Sequence, residues 1–165
     1  MDMITMIIGI VGSVASIYGA YLAIKAKNKA KISAELAENA KNQVIKKQST
    51  THLVEIFYQA KRVQQNYAKY SITQDKGLIG AEFEKDAEVL QAFIFLFNEK
   101  RALIEGSTDI KTGITYMTLN KLLDNFSNHE VVDEKKSFGK QIRHAVDDII
   151  FKLRKVIDDR NSEIE

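Results

Sequence analysis

The chain has 165 residues, 45% of them hydrophobic and 28% charged, enough for one modest core. It has no cysteine, which excludes a disulfide scaffold, a thiol nucleophile and a cysteine-ligated zinc site, and fits a reducing compartment. The net charge of +2 is unevenly placed: residues 1–48 carry seven lysines against three carboxylates, and residues 49–165 carry 17 cations against 19 carboxylates, so the basic excess calls for no nucleic acid.

The first element is apolar. From Met3 to Ile24 there is no charged side chain. As a helix, those residues span roughly 33 Å, against about 30 Å for a hydrocarbon core. Their six Ile, two Val and one Leu favour insertion by about 4 kcal/mol together. Tyr18 and Tyr21 fall where amphipathic rings suit an interface. The run reads as a single transmembrane anchor over residues 1–24. A cleaved signal peptide would want a basic start and a shorter apolar stretch, whereas this start carries Asp2 and no lysine.

Lys25, Lys27, Lys29 and Lys31 follow at once. The positive-inside rule places them at the cytoplasmic membrane surface, with the N-terminus outside and the domain behind them in the cytosol. Within the run, Gly12, Ser16 and Ala20 are four apart, and so are Ala15, Gly19 and Ala23. Small residues at that spacing let helix backbones approach closely, so the span is expected to associate with its own copies, as a dimer or a ring.

Residues 25–48 read as a basic helical stalk, with Ala26, Ala30, Ala34, Ala37, Ala40 and Val44 as a narrow stripe that either packs on its own copies or, because alanine buries little area, leaves a lone solvated helix. Ser49, Thr50 and Thr51 are expected to break the helix and cap the next one. Beyond them Leu53, Phe57, Ala60, Val63, Tyr67 and Tyr70 repeat at three to four residues, an amphipathic helix to about Ser71. A loop holds Gln74 to Gly77 and Gly80. A longer helix is expected from Ala81 to Glu105, with Phe83, Ala87, Leu90, Ile94 and Phe97 inward and Gly106 as its cap. Its segment Ala92 to Phe97 is apolar nearly all round and should be the most buried piece. A short helix from about Ile114 to Ser127 turns Met117, Leu119, Leu122, Leu123 and Phe126 inward. After a loop over Asn128 to Glu134, the last helix runs to about Asn161 through Phe138, Ile142, Ala145, Ile149, Leu153 and Val156. No strand pair or repeat is evident. The expected fold is all-α, with a four-helix bundle over residues 49–165. Phe95, Tyr58 and, at the end of its stripe, Tyr70 are apolar surface beyond what one bundle seam uses, and are expected to be exposed.

Motifs for chemistry are sparse. The histidines His52, His129 and His144 make no dense ligand cluster. His144 and Asp148 share a helical face, but two ligands do not make a metal site, and an exposed ion pair is the ordinary outcome. No metalloprotease, serine-hydrolase or phosphate-loop motif occurs, and Arg143-His144, being adjacent, lacks the spacing of RNA-cleaving helical domains. Glu82, Glu84, Asp86 and Glu88 sit at a helix start, where the dipole favours negative charge, and read as solvated surface. Lys61-Arg62 and Lys152 with Arg154-Lys155 could contact a nucleotide, but carboxylates neighbour the second group and nothing else supports such a ligand. No catalytic, cofactor or metal-ligating residue is assigned.

The segment Gly9-Ile-Val-Gly-Ser-Val-Ala-Ser-Ile-Tyr-Gly-Ala20, with the Lys/Ala-rich stretch behind it, resembles the start of small single-pass bacterial membrane proteins with a cytosolic helical domain, some of them found in phage-defence loci. The likeness covers the N-terminal residues to about Ile45. It implies the bacterial inner membrane and raises a role in antiviral defence, as a membrane-disrupting effector or as the partner of a cytosolic sensor. The expected function is therefore a membrane-anchored, non-enzymatic interaction protein that associates with itself and receives a cytosolic protein partner. A passive anchor or scaffold is the alternative reading, and an enzyme with an unrecognised site a further one.

Overall fold

A computed structural model describes residues 3–71 and 81–162, with side chains from Ser16 onward except that of Ile17. The described residues are almost all helical, with no strand among them. In chain order the helices are α1 (Met3–Tyr67), continued by a 3-10 turn over Ala68–Ser71, then α2 (Phe83–Glu99), α3 (Arg101–Ser107), α4 (Thr112–Asn128) and α5 (Val132–Ser162). The chain divides into two compact units, Met1–Lys47 and Gln48–Glu165.

In the first unit α1 is the whole structure. Its described side chains from Tyr18 to Ile45 are exposed, including Ile24, Ile32, Leu36 and Val44. Among the described residues no helix is long and apolar enough to cross a membrane. Most of the apolar run expected to do so, including Gly12 and Ala15, has side chains outside the described residues.

In the second unit the end of α1 packs with α2, α4 and α5 around one core. The expected break at Ser49, Thr50 and Thr51 does not occur, because α1 runs straight through it. Ser and Thr cost a helix only a few tenths of a kcal/mol each, there is no Gly or Pro nearby, and Thr50 is turned inward at 8% exposure. From there Leu53, Ile56, Ala60, Val63 and Tyr67 form the buried stripe.

The expected long helix is divided in two. Lys100, with φ −93° and ψ 16°, interrupts it, and its N–H donates to the carbonyls of Leu96 and Asn98. Gly106 is no cap but lies inside α3. The helix ends at Thr108, whose hydroxyl donates to Ile104 O at 2.8 Å and accepts from Ile110 N at 3.1 Å. Thr112, nearly fully buried, donates to Glu105 and fixes the start of α4 two residues before the expected Ile114. This hydrogen bond also lowers the Glu105 carboxyl below its ordinary value.

Leu90, Phe93, Ile94 and Phe97 of α2 are buried, while Phe95 points out at 66% exposure. On α4, Leu119 and Phe126 are buried seven residues apart. Met117, expected inward, is 65% exposed, because two residues from Leu119 is about 200° around the helix. Ile142, Val146, Ile149, Leu153 and Ile157 are the buried stripe of α5.

Tyr70 is the other reversal. It was expected at the surface and is 1% exposed. The 3-10 turn carries its ring against Gly139 of α5, where an added Cβ would stand 2.5 Å from Tyr70 Cγ. Tyr67, Tyr70, Phe83 and Phe126 complete an aromatic cluster with ring centroids 5.3–6.0 Å apart.

Candidate functional site

The residues singled out in the first unit share one helix. Ser16, Gly19 and Ala20 are exposed on α1, and open space surrounds the position a Gly19 Cβ would take. The lysines are exposed as well. Steps of two residues turn about 200° around a helix, so Lys25, Lys27, Lys29 and Lys31 surround α1 as a collar instead of lining one face. Lys31 lies 3.9 Å from Glu35 on the next turn, an exposed pair worth little on its own.

The carboxylates read as solvated surface include one that is not. Asp86 is 4% exposed on the inner side of α2. Its Oδ2 accepts from Tyr70 Oη at 2.5 Å and lies 2.7 Å from Lys69 Nζ, while its backbone carbonyl accepts from Tyr67 Oη at 3.0 Å. A buried carboxylate needs such partners, since leaving it bare would cost several kcal/mol. Burial pushes both phenols far above the ordinary tyrosine range. The Asp86 charge adds to this at Tyr67, and at Tyr70 so do the hydrogen bond to Asp86 and its charge. Both tyrosines therefore remain donors. The tie fastens the end of α1 and its 3-10 turn to α2. One signal was available in the sequence: Asp86 falls on the inward spacing Phe83, Asp86, Leu90, Phe93, Phe97.

A second tie joins α1 to α5. Gln64 donates to Asp147, Lys61 donates to Gln64 Oε1 at 3.0 Å, and Arg143 Nε lies 3.8 Å from Asp147. The charge pair expected between His144 and Asp148 is replaced: Asp148 meets Lys152 at 3.3 Å, one turn on. Among the described residues no group of three His, Cys, Asp or Glu side chains is placed to hold a metal ion. Lys152 and Lys155 line a cleft of about 560 Å³ together with Asp109 and Asp159, so its charge is balanced. Arg154 is engaged by Asp158 at 3.6 Å.

A different cleft, of about 490 Å³, runs between α2 and α4. Half-buried Phe83, Ala87 and Leu123 form its floor, and exposed Glu84, Glu88 and Asp124 stand along its rims. Lys135 closes one end, 5.1 Å above the Phe83 ring and donating to Ser127 O at 3.4 Å. The two helices are antiparallel: Phe83 meets Phe126 at one end, and Arg101, just past α2, lies beside Gly113 at the other. This groove requires both helices, whose lining residues lie far apart along the chain.

Comparison with protein-family models, with curated proteins and with solved structures finds no match for the chain.

Proposed function

We propose that the chain is a membrane-anchored, non-enzymatic helical interaction protein that associates with its own copies. The apolar run Met3–Ile24 inserts in the membrane, and the lysine collar at residues 25–31 sits on the cytoplasmic leaflet, where each lysine contributes about 1 kcal/mol against anionic lipid. The helical unit Gln48–Glu165 then faces the cytosol and receives a protein partner.

The observation that carries self-association is the unbroken course of α1. It sets Gly9, Gly12, Ser16, Gly19, Ala23, Ala26, Ala30, Ser33, Ala37, Ala40 and Val44 at alternating steps of three and four. That is a seven-residue repeat, which keeps one seam facing a partner helix through a left-handed supercoil. Small residues along it permit close backbone approach in lipid, where apolar burial alone gives helices no reason to associate. Membrane span and stalk thus share a single seam.

Gly19→Leu provides the test, because in the single chain nothing stands within 4 Å of its added Cβ. Insertion is expected to survive, since leucine favours the hydrocarbon. Crosslinking in membranes is expected to fall, because the bulky side chain holds the backbones apart. Unchanged crosslinking would overturn the seam, and recovery of the chain in the soluble fraction would overturn the anchor. Dye uptake by expressing cells separates membrane disruption from scaffolding.

A further inference from the structure

We propose that the groove between α2 and α4 docks a basic amphipathic helix of a partner protein. The inference rests on reading Gln48–Glu165 as an interaction unit, and it supplies the chemistry of the partner. The floor is apolar and half-buried at Phe83, Ala87 and Leu123, so it still has area to cover. The groove extends beyond the cleft. On α2, Glu84, Glu88, Gln91 and Phe95 recur at steps of four, three and four, so Phe95 continues the same wall. On α4, Met117 stands two turns before Asp124 on the same face. Phe95 and Met117 are 66% and 65% exposed, large apolar side chains that the core of this unit does not use.

The antiparallel packing puts the charged and apolar ends in a fixed order. Glu84, Glu88 and Asp124 lie toward the start of α2 and the end of α4, with Phe95 and Met117 toward the opposite ends. Among the described residues none of those three carboxylates lies within ion-pair distance of a cation, although Glu88 acts on Lys85 at longer range, and the cleft sets all three against Lys135 alone. By contrast, Glu105, Asp148 and Asp158 are each engaged by an Arg or Lys at 3.3–3.6 Å, whereas Lys85 and Lys121, one turn from Glu88 and Asp124, form no such pair with them. Charge complementarity therefore selects the occupant. A helix with lysines or arginines at one end and bulky apolar residues at i, i+3, i+4 and i+7 places cations on the carboxylate rims and side chains on the floor and on Phe95. Nucleic acid and anionic lipid are repelled by the same rims. From Glu84 to Phe95 the wall is roughly 16 Å long, so about three turns of partner helix fill it.

The experiment uses the full chain in micelles of neutral detergent and a labelled synthetic amphipathic helical peptide of about 14 residues, with leucines on one face and lysines at one end. Its partner peptide replaces every lysine by glutamate. Fluorescence anisotropy is expected to show binding of the lysine peptide alone, weakening as salt is raised. Glu88→Lys with Asp124→Lys, and separately Phe95→Ser, are expected to lower the affinity about tenfold or more. Circular dichroism checks that each variant keeps its helices. The proposal is overturned if neither peptide binds, if both bind equally, or if the charge reversals leave affinity unchanged. It is also overturned if those reversals instead dissolve the self-association, which would make a second copy the occupant. Loss of crosslinking in Gly19→Leu leaves peptide binding untouched, so the groove and the seam fail separately.

Discussion

Replacing Gly139 by alanine gives a sharp test of the packing, because two effects of opposite sign compete at one methyl group. Glycine inside a helix costs about 1 kcal/mol relative to alanine, so at an open position the change stabilises. Gly106, within α3, is such a position: nothing lies within 4 Å of its added Cβ, and Gly106→Ala is expected to gain about 0.5–1 kcal/mol. At Gly139 the new methyl would meet Tyr70 Cγ at 2.5 Å, Cδ2 at 2.7 Å and Cβ at 2.9 Å. Those atoms lie at the fixed end of the side chain. The ring cannot swing aside, because its hydroxyl is held by Asp86 and its faces meet Tyr67, Phe83 and Phe126. Overpacking of this kind costs about 1–3 kcal/mol, and the crowding of three atoms places Gly139→Ala at the upper end. After the helix gain is subtracted, a net loss of about 1–2 kcal/mol remains. Urea denaturation of the full chain in detergent, followed by far-ultraviolet circular dichroism, reads both variants, with the midpoint shifting in opposite directions. If Gly139→Ala is as stable as the parent while Gly106→Ala gains, the close approach of α5 to Tyr70 is refuted.

Two further outcomes follow from the buried tie. Asp86→Ala leaves the Tyr70 hydroxyl buried without its acceptor and Lys69 without its counter-ion, and is expected to cost about 2–3 kcal/mol in the same denaturation assay; a loss under about 0.5 kcal/mol would mean that water replaces the carboxylate. The alkaline limb of stability tests the raised phenols. An unfolded tyrosine ionises near pH 10, whereas Tyr67 and Tyr70 stay protonated while folded, so their contribution is complete below about pH 10 and is lost as pH rises beyond it. Phenolate absorbance from these two should therefore appear only together with loss of helical signal, and its amplitude should fall in Tyr67→Phe; phenolate from both rings in the still-folded chain would contradict their burial.

The local pattern alone determined that the described chain is helical and which stripes of α2, α5 and the end of α1 turn inward. Leu53, Ala60 and Val63, then Leu90, Ile94 and Phe97, then Ile142, Ile149 and Leu153 were legible because a helix repeats every 3.6 residues and its apolar face repeats with it. The absence of proline and the long gap between glycines point to long helices, although Ser49 to Thr51 resembles a stop. Only the tertiary structure decided that α1 continues there, because a helix ends where its neighbours cease to reward it and not merely where propensity dips. The same holds for Asp86. In the sequence it is one of four carboxylates at a helix start, and what buries it is Tyr70, 16 residues away along the chain. The groove is similarly non-local. Glu84 and Glu88 are visible as a charged run, but Leu123 and Asp124 reach them only once α4 packs antiparallel to α2. Periodicity is a property of neighbouring residues and can be read along the chain. The burial of a polar group and the shape of a groove are set by partners from elsewhere in the chain, so they exist only when the helices have packed.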